Sequence, residues 1–206
     1  MDGNQAERSN QPLSIISEIK RKSIHLSMIA IPIWMYLAPA HLATLGLIIA
    51  TITTIVLDVA RLSDNRLKSF FLHFFRSLMR PHEVEHLMAS TYFMIAALIS
   101  VLVFDKTIAI SALSFLVLGD AVAAIIGKKY GRIKYWGKSV EGSAACFACC
   151  FIVGVALMGV QRDALTVIIS GSLAATLAEA LPAPMDDNMR VPLISGFVMQ
   201  IVSFLV

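Results

Sequence analysis

Residues 107–127 read TIAISALSFLVLGDAVAAIIG, a run of apolar and small residues broken by one acid, Asp120. At about 1.5 Å per residue, a helix of this length crosses the roughly 30 Å hydrocarbon core of a bilayer. A carboxylate inside such a span costs about 2.5–3.5 kcal/mol on insertion scales, so it needs a cation or a partner. Gly119, Ala123 and Gly127 recur every fourth residue, a stripe that lets a helix or a ligand approach the backbone closely. The plainer alternative for Asp120 is a structural ion pair with a basic residue.

Outward from this run the chain is of the same kind. Of its 206 residues, 57% are hydrophobic and 15% charged, and the mean hydropathy is +0.76. Soluble domains carry about 25% charged residues, and disorder needs low hydrophobicity with high net charge, so both are excluded. Eleven unperiodic glycines exclude collagen, and three cysteines exclude a disulfide scaffold. Six more charge-poor runs lie at 24–38, 42–57, 87–104, 143–160, 164–181 and 191–206. The first helix starts near Ser14, and Pro32 is placed to kink it. The expected fold is all-α: a polytopic membrane bundle of about seven transmembrane helices. Residues 1–13 form a polar tail, and 14–206 form a single transmembrane domain. No cleavable signal peptide is visible, so the first span is its own insertion signal.

Lys and Arg set the orientation. Fifteen of the seventeen fall in the N-terminal segment and in the loops after spans two, four and six; only Lys106 and Arg162 lie on the other side. The N-terminus is therefore expected in the cytoplasm. Residues 64–79 are not a span. Leu67, Phe70, Phe71, Phe74, Phe75 and Leu78 share one helix face, with Arg66, Lys68, His73 and Arg76 elsewhere, the pattern of a helix lying in the headgroup layer.

Polar residues collect at the cytoplasmic ends of the spans. Glu18, Arg21, Lys22 and His25 share a stripe that can bind phosphate, with His25 also able to take a proton. Asp58 and Arg61 form an i, i+3 pair, as Glu83 does with Arg80. Residues 127–142, GKKYGRIKYWGKSVEG, hold four glycines and five cations, chemistry suited to a polyphosphate. Five residues separate Gly131 from Gly137 where a Walker A loop has four, which excludes a P-loop ATPase. Polyphosphates travel with Mg²⁺, bound through one or two carboxylates plus phosphate oxygens. Asp120, Glu141, Glu179, Asp186 and Asp187 are the candidates. Cys146, Cys149 and Cys150 lack a fourth zinc ligand and read as packing. No nucleic-acid module is present.

Together these stretches resemble the dolichol kinase, phytol kinase and CTP-dependent diacylglycerol kinase family. They are Glu18-x-x-Arg21-Lys22-x-x-His25, Gly119-Asp120-x-x-Ala123, Gly127-Lys128-x-Tyr130-Gly131-Arg132 and Gly137-Lys138-Ser139-Val140-Glu141-Gly142-Ser143, closing with Glu179, Asp186-Asp187-Asn188 and Pro192. Phosphatidate cytidylyltransferase is a more distant likeness. The resemblance implies transfer of the γ-phosphate of CTP, with Mg²⁺, to the hydroxyl of a polyprenol, dolichol or phytol-type alcohol or of diacylglycerol. The setting it implies is a prokaryotic cytoplasmic membrane, with the site on the cytoplasmic side. It assigns the nucleotide to Gly127, Lys128, Gly131, Arg132, Gly137, Lys138, Ser139, Glu141, Gly142 and Asn188, and the metal to Asp120, Glu141 and Asp187. Asp120, His25, Asp58 and Lys22 are the catalytic candidates, with Asp58 and His25 both open as proton acceptor; Arg21, Glu83, Glu179 and Asp186 complete the set. Cytidylyl transfer to a lipid phosphate is the alternative chemistry. A small transporter is the non-enzymatic one, although the outer half of the chain is apolar and shows no repeat.

Overall fold

The computed structural model describes residues 23–75, 79 and 81–206. Glu18, Arg21, Lys22, Arg76, Leu78 and Arg80 lie outside the described residues, as do the side chains of Phe75 and His82. Nearly everything described is helix: α1 (Ala30–Leu37), α2 (Ala40–Ser63), α3 (Asn65–Phe75), α4 (Ala89–Val103), α5 (Lys106–Tyr130), α6 (Val140–Met158), α7 (Arg162–Ala180) and α8 (Asp187–Leu205). A 3₁₀ turn (Pro81–Val84) precedes α4, and a two-stranded hairpin, β1 (Lys134–Tyr135) with β2 (Lys138–Ser139), precedes α6.

Five of these helices, α2, α5, α6, α7 and α8, are long and apolar enough to cross a membrane. Two shorter apolar helices, Ser23–Leu37 and Ala89–Val103, fall where the first and third spans are expected. Pro32 explains a tightening in the first. It has no N–H to give the Met28 carbonyl, which accepts from Ile31 N at 3.0 Å instead, a 3₁₀ step.

α5 is the hub, packed by α6, α8, α1, α7 and α4. Leu113, Phe115 and Leu116 on it are almost fully buried, alongside Phe93, Ile168 and Met199 from its neighbours. Small residues permit this packing. A Cβ on Gly154 would meet Ile168 Cγ2 at 2.6 Å, one on Gly171 would meet Met199 Cγ at 2.3 Å, and one on Gly119 would lie 3.0 Å from the sulfurs of Cys146 and Cys150. The cysteines thus pack helix against helix, as their positions predict.

The end of the bundle away from the hairpin is pinned by short loops. Lys106 Nζ donates to the Ala38 carbonyl at 3.1 Å, and Asp105 and Gln200 exchange hydrogen bonds of 2.8 and 2.9 Å. At the hairpin end, α3 turns away from α2 with Leu67, Phe70 and Phe74 exposed. Lys68 Nζ reaches Glu85 at 2.5 Å, tying α3 to the turn before α4.

Candidate active site

The Gly-Asp pair, the glycine-rich loop and the end of α7 are separated in sequence and meet in one place. A cavity of about 220 Å³ lies between them. α5 contributes Asp120, Ala123, Gly127 and Lys128; the hairpin contributes Lys134, Gly137, Lys138 and Ser139; α6 adds Gly142 and Ser143, and α7 adds Glu179.

Local structure explains the convergence. β1 and β2 are joined by Trp136 and Gly137, both with positive φ (41° and 79°), as a two-residue type I′ turn requires. The turn folds Lys138 back over α5 and starts α6 at once. Ser139 is the helix N-cap, its hydroxyl accepting from Gly142 N at 3.1 Å. The glycines of this region have two different uses. A Cβ on Gly131 would lie 2.3 Å from the Gly127 carbonyl and 2.6 Å from Ser139 Oγ, and one on Gly142 would lie 2.8 Å from the Ala123 carbonyl. Gly127, Gly131 and Gly142 therefore let the hairpin and α6 dock on α5. Only Gly137, with nothing within 4 Å of an added Cβ, leaves backbone open to a ligand.

Charge in the cavity is mixed. Glu179 is 6% exposed and takes the Lys138 ammonium on Oε1 at 2.6 Å; the same ammonium also reaches the Glu179 carbonyl. Lys134 Nζ donates to the Gly127 carbonyl at 2.8 Å, capping the end of α5. Asp120 remains 40% exposed, and His25 Nε2 approaches its Oδ2 at 3.4 Å. This brings His25, the described member of the first motif, onto the acid of the second.

The other expected site residues lie elsewhere. Glu141 does not line the cavity: its Oε1 accepts from Ile133 N at 3.4 Å, so it braces the loop before β1. Arg132 is exposed outside the cavity. Asp186 is the N-cap of α8 and accepts from Asn188 N and Nδ2 at 2.9 and 2.8 Å; Asp187 pairs with Arg190. Asp58 is remote from the cavity and fully engaged. It takes Arg61 Nε and Nη2 at 3.1 and 2.9 Å, Met88 N at 2.8 Å and the Thr91 hydroxyl at 2.6 Å. Arg61 in turn donates to the carbonyls of Glu83 and His86 at 3.0 and 2.8 Å, and Ala89 N donates to Glu83 at 3.3 Å. Asp58, Arg61 and Glu83 thus form a knot that starts α4; the expected Asp58–Arg61 pair is part of it, and the expected partner of Glu83, Arg80, lies outside the described residues. Lys134 was not distinguished from its basic neighbours by sequence, because only the hairpin register separates it from Lys128 and Lys129.

No group of three or more His, Cys, Asp or Glu able to hold a metal occurs among the described residues. One exposed carboxylate beside three lysines fits a divalent ion that arrives on phosphate oxygens, and does not fit a protein-caged ion.

No family model and no solved structure matches the chain. An uncharacterized protein of Rickettsia prowazekii (strain Madrid E) is 28% identical over 85% of this chain and 90% of its own length. A probable chloroplastic phytol kinase of Triticum aestivum is 35% identical over 57% of this chain, and the match covers 45% of that kinase. CTP-dependent diacylglycerol kinase 1 of Saccharomyces cerevisiae is 26% identical over 90% of this chain and 73% of its own. The chain thus spans less than half the length of the phytol kinases it matches. The homologues are those that the sequence motifs resemble.

Proposed function

We propose that this integral membrane protein is a lipid kinase that moves the γ-phosphate of CTP to the hydroxyl of an isoprenoid alcohol or diacylglycerol. The observation that carries the reading is the convergence of Asp120, Lys128, Lys134, Lys138 and the open backbone of Gly137 in one cavity. The names of the phytol and diacylglycerol kinases support it. Phosphoryl transfer asks a protein chiefly for positioning and charge neutralisation, which this residue set supplies.

In this reading Lys128 and Lys138 neutralise the triphosphate, and the Gly137 N–H approaches a phosphate oxygen. Asp120 is the residue that would hold Mg²⁺, and the ion would neutralise charge on the phosphate oxygens. The lipid hydroxyl oxygen forms a bond to the γ-phosphorus as the bond from that phosphorus to the β-bridging oxygen breaks. CDP leaves with the electron pair, and the hydroxyl proton passes to His25. His25 is preferred to Asp58 because it sits against Asp120, while Asp58 is occupied by the α4 knot. The excess of Lys and Arg at this end supports a site on the cytoplasmic face.

CTP labelled at the α or the γ phosphorus tests the chemistry. With purified protein, phytol and dioctanoylglycerol, label is expected in the lipid only from the γ position. Label arriving only from the α position would establish cytidylyl transfer instead.

A further inference from the structure

A second and larger cavity, about 410 Å³, opens at the same end of the bundle. His86, Leu87 and Tyr92 line it from the start of α4, and Ala183, Met185 and Asp187 from the loop into α8. Its volume lies within the roughly 300–1,000 Å³ of ordinary ligand pockets. It shares no lining residue with the first cavity, and none of its lining residues is Lys or Arg, so it is not built for a second polyphosphate.

Its walls are mixed in polarity: Leu87, Ala183, Pro184 and Met185 are apolar, and His86, Tyr92, Asp186 and Asp187 carry polar groups. Met185 is also exposed, as are Leu181 before this loop and Ile194 and Phe197 along α8. The loop that lines the cavity starts at Ala183, a short way along the chain from Glu179, which lines the first cavity.

We infer that this cavity holds the lipid alcohol just behind its hydroxyl, which reaches the phosphate cavity and His25, with the hydrocarbon tail leaving past Met185 along α8. The inference rests on the kinase reading and places its acceptor. A water-soluble acceptor needs no apolar exit, and a phosphorylated lipid would need cations that the walls lack.

Ala183→Trp, at an exposed loop position, tests it. Purified enzyme is assayed with γ-labelled CTP against phytol and dioctanoylglycerol. The KM for lipid is expected to rise at least tenfold while the KM for CTP stays within twofold. An unchanged lipid KM, or an equal rise in both constants, would overturn the assignment. Independently of any variant, a long-chain alcohol with a diazirine near its hydroxyl is photolysed on the wild-type protein. Adducts on Leu87, Tyr92 or Met185 are expected, and adducts only on other surfaces would overturn it. If the wild-type enzyme labels neither alcohol yet carries the adducts in this cavity, the kinase reading fails and the alcohol site stands.

Discussion

Asp58 accepts hydrogen bonds from Arg61, Met88 and Thr91 and is 3% exposed, whereas Asp120 meets His25 at 3.4 Å and stays 40% exposed. Both are acids among apolar helices, but their surroundings give them opposite work. Removing one partner of a buried ion pair costs about 3–5 kcal/mol, because the other charge is left unpaired. Asp58→Ala should therefore lower the unfolding temperature in detergent sharply, with activity lost along with the fold. Asp120→Asn should reduce turnover on the order of a hundredfold and leave the melting temperature within a degree or so, since removing one positioned charge from a phosphoryl-transfer site is worth a few kcal/mol. A melting scan beside an assay separates the two. Equal activity in Asp120→Asn would take Asp120 out of the metal site.

Among the elements, the hairpin decides the cavity. Its turn needs two residues with positive φ, and Trp136 adopts that backbone at some cost, as strained residues near functional sites often do. Asn tolerates the left-handed region and β-branched residues do not. Gly137→Asn should keep activity within about threefold, and Gly137→Val should raise the KM for CTP. Gly131→Ala should be worse than either for stability, because its Cβ would strike the Gly127 carbonyl, a backbone atom that cannot swing aside. Overpacking of this kind costs about 1–3 kcal/mol. A second element-level link is α3. The Lys68 hydrogen bond and charge hold Glu85 below its ordinary pKa. A lowered carboxylate pKa contributes stability that is present above the ordinary value and is lost as pH falls through the lowered one. Limited proteolysis of the α3–α4 connection should therefore be slow near neutrality and quicken below about pH 4. In Glu85→Gln it should already be quick at neutral pH.

At the scale of the whole molecule, the chain sorts chemistry by depth. Middle layers are closed by small residues and cysteine sulfurs, one end is pinned by Lys106 and Gln200, and the other gathers the cations and acids. Because Glu179 is buried and its charge is matched by Lys138, Lys138→Met should both weaken CTP binding and destabilise the fold. Lys128→Met should weaken binding with little loss of stability, since Lys128 is exposed where Glu179 is buried. Paired melting curves and CTP titrations check this difference.

The sequence by itself determined the class of protein, the positions of the apolar helices and which residue types carry the chemistry. Those follow from hydropathy, charge and local spacing, which act over a few residues at a time. It did not separate Gly137 from Gly131 or Lys134 from Lys129, because each pair is alike in type and local setting, and it left Asp58 level with His25 as proton acceptor. Only the tertiary structure decided those. Packing α4 on α2 consumed Asp58, docking the hairpin on α5 consumed Gly131, and the hairpin brought Lys134, still exposed, to the wall of the cavity. The cavity between α4 and the loop into α8 had no local signal at all: His86 and Asp187 are a hundred residues apart, and only the fold of the bundle makes them neighbours.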